Sequence, residues 1–429
     1  MTHEKTPLLA GRYELNKLAG EGGMATVWRS VMHGAAGFSR LVAVKRILPH
    51  LISNKEFIAM FVEEARVGSL LQHPNIVQIL DFNVDERGFY FLVMEWVEGV
   101  DLGGYLKSYA TRELPTEWPL IAAIGIEALR GLGAAHERLN DDGQLSPVIH
   151  RDVTPQNILV GSNGVVKLTD FGLSRAMDRS RMTQPDIIKG KLAYIAPEIS
   201  RGETASPASD IFSLSVVLWE ALAGRRLYQG ATDVEVFLAA REAKIPPLGE
   251  FRSDLPVLLL DAIGRGLSVD PAGRYGSALA MARALADVLR REPKKTDAPV
   301  LAQSVLSARV VLEAAKTATA EHPAVGAADH STTTVSDEVA VPLPPSPRKP
   351  TPSPPPFTRG ARPAPPPPPI PAGSLQFDID VVEPLEEVSD SISLQIDLDE
   401  LLRGQSSHEI QALSEADLEP VPLTSKKKH

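Results

Sequence analysis

Between Tyr13 and about Arg291 the apolar residues recur first at alternate positions and then at helical spacing. The alternating runs are short: Tyr13 to Leu18, Val27 to Val31, Leu41 to Ile47, Ile76 to Phe82 and Phe89 to Trp96. A period of two turns successive side chains to opposite faces of a strand, so these runs predict a small antiparallel sheet. Phe57 to Leu71 switches to a helical period and predicts one helix among the strands. After Asp101 the helical period dominates, in Leu120 to Arg138, Asp210 to Ala223, Asp233 to Ala243, Leu255 to Leu267 and Ser277 to Arg290. The pattern predicts an α+β chain of two lobes, one sheet-rich over about 13–97 and one mainly helical over about 98–291, after an N-terminal lead of 1–12. Their junction near Trp96 to Asp101 forms a cleft, where ligand sites are most often found. Val300 to His322 has looser spacing (Leu301, Val305, Leu306, Val310) and predicts a marginal helix inside a linker, 292–341.

Composition changes the picture only beyond that linker. Of the 36 prolines, 16 fall between Pro342 and Pro371, and proline lacks the backbone donor that regular structure needs. A disordered, semi-rigid spacer is expected over 342–373. From Ser374 to Pro420 there are 13 acidic residues against one arginine, followed by Lys426, Lys427 and Lys428, so the acidic tail over 374–429 carries most of the net charge of −10. The remainder is close to neutral and has no basic face for a run of phosphates, which argues against nucleic-acid binding. The tail repeats one short pattern, Leu375 to Asp380 against Leu394 to Asp399; tail-binding partners and a solvated tail without partners both remain open. With no cysteine, disulfides, thiol catalysis and cysteine metal sites are excluded. Met1 to Arg12 lacks the apolar run of a signal peptide, and no window approaches the roughly 18 uncharged apolar residues of a membrane span. A cytoplasmic protein without membrane insertion is expected.

The chemistry-bearing residues fall in a fixed order. Gly20-Glu21-Gly22-Gly23-Met24-Ala25-Thr26-Val27 lies between two strand runs, where glycines can turn tightly and bring bare N–H groups to phosphate oxygens; alone it is equally an ordinary glycine-rich hairpin. Val42-Ala43-Val44-Lys45 ends an apolar strand on a cation that needs an anionic partner, and Glu64 in the following helix can supply one. His150-Arg151-Asp152-Val153-Thr154-Pro155-Gln156-Asn157 carries a carboxylate and an amide five residues apart, and Asp170-Phe171-Gly172 follows. Such a set can orient a hydroxyl and bind Mg2+ through oxygen.

Together with Ala196-Pro197-Glu198, these motifs make the region from Tyr13 to about Arg291 resemble the eukaryotic-type (Hanks-type) serine/threonine protein kinases, most of all their bacterial members. The resemblance covers about two-thirds of the chain. It implies the bilobal kinase fold and transfer of a phosphoryl group from ATP, with Mg2+, to protein substrates. It places Ala19, Gly20, Glu21, Gly22, Gly23, Met24, Ala25, Thr26 and Val27 over the nucleotide, and Lys45, paired with Glu64, on its phosphates. Met94 becomes the gatekeeper, the backbone of Glu95 to Val97 meets adenine, and Asp101 sits where the family binds ribose. Asp152 accepts the substrate hydroxyl proton, while Asn157 and Asp170 hold the metal. Asp210 is expected to anchor the catalytic loop, and Arg274 to pair with Glu198.

Two positions depart from the family pattern. Its serine/threonine members usually carry a lysine two residues after the catalytic aspartate and a threonine after the glycine that precedes Ala-Pro-Glu; here the residues are Thr154 and Lys191. The offsets predict that the two have traded places, with Lys191 returning to the site as the missing cation and Thr154 as its hydrogen-bond partner. The other reading leaves Lys191 in solvent. Arg151 implies pairing with a phosphate on the activation segment, where Thr183 is the expected regulatory phosphosite. Autophosphorylation, including Thr332 to Ser336, is expected, and a homodimer is one route to it. The alternative is a pseudokinase scaffold that binds partners through its tail; Thr154 favours it, and the presence of Lys45, Glu64, Asp152, Asn157 and Asp170 opposes it.

Overall fold

Period two in the third strand run fixes the architecture of the first lobe. The structure, a computed structural model, describes residues 8–171 and 191–321. Five strands, β1 (Tyr13–Glu21), β2 (Ala25–His33), β3 (Ser39–Ile47), β4 (Ile79–Val84) and β5 (Tyr90–Glu95), form one antiparallel sheet in the order β1-β2-β3-β5-β4. Val42 and Val44 of β3 point to one face and pack with Tyr13, Phe91 and Val93. Ala43 points to the other and packs with Ala25, Leu92, Met94 and two residues of helix α1 (Lys55–Ser69), Phe61 and Ala65. Lys45 shares that second face by alternation, so the strand delivers a cation under α1. Asn54 starts α1 by accepting from the N–H groups of Glu56 and Phe57.

The second lobe has helices α2 (Leu102–Thr111), α3 (Trp118–His136), α4 (Pro197–Ser200), α5 (Pro207–Ala223), α6 (Asp233–Glu242), α7 (Val257–Gly266), α8 (Ala278–Leu289) and α9 (Ala298–Glu321). A three-stranded sheet, β6 (Gly99–Asp101), β7 (Ile158–Gly161) and β8 (Val166–Leu168), faces the cleft. From Ser209 to Leu222, α5 is buried on every side, so its sequence reads as continuously apolar apart from hydrogen-bonded polar residues.

Two differences from the sequence reading stand out. The expected marginal helix is the 24-residue α9, whose Leu301, Val305 and Ala308 are buried against the second lobe. In addition, α3 and residues 298–317 of α9 are long and apolar enough to cross a membrane by length and composition alone, contrary to the expectation that no window comes close. In α3 that apolar character is core packing, since Leu120, Ile121, Ile124, Leu129 and Leu132 are all interior. Thr183, the Ser/Thr cluster at 332–336, the proline-rich spacer and the acidic tail lie outside the described residues.

Candidate active site

Lys45, Glu64 and Asp170 come from β3, α1 and the segment just after β8, and they meet in the cleft. Lys45 Nζ donates to Glu64 Oε1 at 2.6 Å and to Asp170 Oδ1 at 2.9 Å. Burial alone would push the Lys45 ammonium down, but the Asp170 and Glu64 carboxylates outweigh it and hold its pKa above the usual lysine range. Burial also works against the charge on Asp170, and Lys45, with smaller help from Lys191 and His150, holds that carboxyl below its usual range. Glu64 is the less firmly ionised partner: burial pushes it up to about 7 against the pull of Lys45, and among the described residues its buried Oε2 has no hydrogen-bond partner.

A second constellation is built on a loop pinned from below. Asp210, buried near the start of α5, accepts from His150 N, Arg151 N and His136 Nε2, each at 2.8 Å. These three donors compensate the carboxylate and hold Arg151 in a left-handed conformation, φ 64°. The His150 ring packs at a tilt of 48° against Phe171, centroids 4.4 Å apart, and contacts Thr169 O at 3.0 Å, joining this loop to the segment that carries Asp170, itself at φ 63°. Asn157 Nδ2 donates to Asp152 O at 2.7 Å and Asp152 Oδ2 at 3.0 Å. Lys191 Nζ also donates to Asp152 Oδ2, at 2.6 Å.

That last contact bears on the exchanged pair. The expected Lys191 to Thr154 hydrogen bond does not form; Thr154 is buried, and the ammonium goes to Asp152 instead. A carboxylate is the stronger partner for a cation, which explains the preference.

Apolar side chains gather where the lobes meet. Val27, Ala43, Met94, Val97 and Leu159 belong to one cluster, with Leu159 of β7 supplying the floor from the second lobe. Sequence reasoning missed Leu159, because a four-residue strand has no readable period. Asp101 caps α2, accepting from Gly104 N at 2.9 Å, a role that spacing did not indicate. The side chain of Glu95 is held by Lys167 at 2.7 Å, and its backbone N–H donates to Gln78 O at 3.0 Å. In the glycine loop, Gly20, Gly22 and Gly23 all have ordinary negative φ, so the tight-turn argument does not apply to them. A Cβ on Gly20 would meet nothing within 4 Å, and the lack of side chains instead leaves the loop open to a close-approaching ligand. Arg274 and Glu198 form the expected buried pair, with Nη1 to Oε1 at 2.6 Å and Nη2 to Oε2 at 2.7 Å.

Oxygen donors suited to a hard divalent cation are present. Asn157 uses its amide nitrogen on Asp152, which turns its Oδ1 free of protein donors among the described residues, and Asp170 keeps Oδ2 free in the same sense. No group of three or more acidic or histidine side chains placed to hold a metal ion by itself occurs among the described residues. The set therefore fits Mg2+, which binds through one or two carboxylates and completes its shell with phosphates and water.

Residues 13–284 match the protein kinase domain family over well more than half of the chain. The chain belongs to the protein kinase family. The chain is 39% identical over 281 residues to tyrosine-protein kinase MasK of Myxococcus xanthus, covering 65% of this chain and 43% of that one. It is 38% identical over 298 residues to serine/threonine-protein kinase PknA of Mycobacterium tuberculosis, covering 68% of this chain and 65% of the relative. The chain thus spans less than two thirds of either relative. The crystal structure of the Mycobacterium tuberculosis PknI kinase domain aligns at 25% identity with a TM-score of 0.49, over 67% of this chain and 99% of that one.

Proposed function

We propose that this chain is an ATP- and Mg2+-dependent protein kinase that transfers the γ-phosphoryl group to serine or threonine hydroxyls of proteins. The observation that carries the reading is the approach of two donors to one aspartate: Asn157 and Lys191 both donate to Asp152 Oδ2, at 3.0 and 2.6 Å. Asp152 Oδ1 is then the oxygen left to accept the substrate hydroxyl proton as that oxygen attacks phosphorus. Lys45, held by Glu64, holds the α- and β-phosphates, and the cluster of Val27, Ala43, Met94 and Leu159 takes the adenine ring. Asn157 and Asp170 would hold Mg2+, which would supply positive charge to neutralise the phosphates. Lys191 supplies the ammonium that stabilises the transferring phosphoryl in place of the usual catalytic-loop lysine.

Hydroxyl specificity is assigned to serine and threonine because the tyrosine members of the family place an arginine at the positions of Thr154 or Gln156. The MasK name keeps tyrosine as the competing acceptor. Autophosphorylation on Thr183, a cytoplasmic location in a signalling role, and partner recruitment through the proline-rich and acidic tail complete the proposal. Incubation of the full chain with labelled ATP and Mg2+, beside Asp152→Asn, tests it: label on serine or threonine, lost in the variant, is expected. A folded, ATP-binding wild type that transfers nothing to itself or to a general acceptor protein favours the scaffold reading.

A further inference from the structure

Glu98, two residues after Trp96 in the segment joining the lobes, is a meeting point of four elements. Its carbonyl accepts from Ser162 N at 2.7 Å and Ser162 Oγ at 2.8 Å, in the turn between β7 and β8. Its Oε2 accepts from Trp96 Nε1 at 2.8 Å and lies 3.8 Å from Arg29 Nε of β2, whose guanidinium also stands over the Trp96 ring. Its Oε1 accepts from Arg309 Nη2 at 2.7 Å, and Arg309 belongs to α9. The Glu98 carboxyl is held below its usual range, first by the Trp96 hydrogen bond and, against partial burial, by Arg309 and Arg29.

The placement of α9 is built rather than incidental. It begins against Gly164, whose φ of +80° and missing Cβ let Ala298 O approach; a Cβ there would lie 2.0 Å from that oxygen. Ser304 Oγ then shares hydrogen bonds with Tyr105 OH at 2.7 Å and Tyr109 OH at 3.3 Å, while Leu301, Val305 and Ala308 are buried. Farther along, Glu313 is held below its usual range first by Lys316, and Lys17 of β1 in the opposite lobe is among the smaller charges acting on it. The helix therefore runs along the second lobe to the junction, where Arg309 meets Glu98, and lies entirely beyond residue 284, where the family match ends.

We propose that Arg309 is a positioning residue for nucleotide binding: by holding Glu98 it fixes the Glu95 to Val97 backbone against which adenine is read, which makes α9 a working part of the kinase. The proposal rests on the ATP-binding reading above. A junction free to rotate must be ordered when the nucleotide binds, and prior ordering removes that cost. The Arg309 and Glu98 side chains are about two-fifths exposed, so the pair belongs to the class worth about 0.2–1 kcal/mol, or about 1.5- to 5-fold in affinity.

The test compares full-length wild type, Arg309→Met, Arg309→Lys, Glu98→Gln and the Glu98→Gln/Arg309→Met double variant. KM for ATP, kcat, calorimetric ATP affinity and melting temperature are measured for each. Arg309→Met is expected to raise KM for ATP about 1.5- to 5-fold with kcat and melting temperature unchanged, Arg309→Lys to recover most of it, and the double variant to be no worse than the worse single one. An Arg309→Met chain with wild-type KM, or one whose kcat and melting temperature fall while KM holds, overturns the proposal. Wild type that binds no ATP in the calorimeter instead removes the kinase reading beneath it.

Discussion

Replacing Lys191 with methionine deletes an ammonium 2.6 Å from Asp152 Oδ2 while keeping a long side chain on the same backbone. A unit charge about 4 Å from a phosphoryl oxygen at an effective dielectric of about 20 is worth about 4 kcal/mol. The Lys191 side chain is 40% exposed, and solvent screening reduces this to about 2–3 kcal/mol in the transition state. That corresponds to a fall in kcat of roughly 30- to 150-fold. KM for ATP is expected to change far less, because Lys45 and the apolar cluster hold the ground-state nucleotide. Initial rates with labelled ATP, at saturating ATP and a fixed general acceptor protein, give both constants. The exchanged-position idea makes a stricter demand: Thr154→Lys combined with Lys191→Thr rebuilds the usual family arrangement and should recover most of the activity that Lys191→Met loses. Lys191→Met with kcat within about threefold of wild type refutes the catalytic role, and a reverted double variant no better than the single one refutes the exchange.

Two stability predictions follow from buried contacts. Arg274→Met strands Glu198, buried at 3% exposure, without its bidentate partner, and is expected to lose about 3–5 kcal/mol by denaturant unfolding. Adding Glu198→Gln should restore part of that loss, and equal losses in the single and double variants would contradict the ion-pair account. Gly164→Ala forces a side chain into a left-handed backbone and against Ala298 O, so hydrogen exchange of the first turns of α9 should quicken while α5 keeps its protection. Unchanged exchange in α9 would show that the close approach does not anchor it.

The parts of this molecule readable from its sequence are those with local signatures. Strand alternation put Lys45 on the same face as Ala43, and helical spacing marked α1, α3 and α5, because packing on one face imposes a period on the chain. What was not readable depends on distant residues. Helix α2 hides behind Gly103 and Gly104, poor helix formers, and is held by the Asp101 cap and by burial of Leu102, Tyr105 and Tyr109. The run from Ile76 to Phe82 splits in space: Val77 N bonds Leu168 O in the second lobe, and β4 starts only at Ile79. Helix α9 looked marginal because its anchors, Tyr105, Tyr109 and Glu98, lie some two hundred residues earlier in the chain. At the site, offsets pointed to Lys191, but its actual acceptor depends on how the chain returns to the catalytic loop, and that is Asp152.

The most direct measurement is phosphoamino-acid analysis of the full-length chain after incubation with Mg2+ and γ-labelled ATP, run beside Asp152→Asn. The account predicts phosphoserine or phosphothreonine in the wild type and none in the variant. Phosphotyrosine alone, or equal label in both chains, would contradict it.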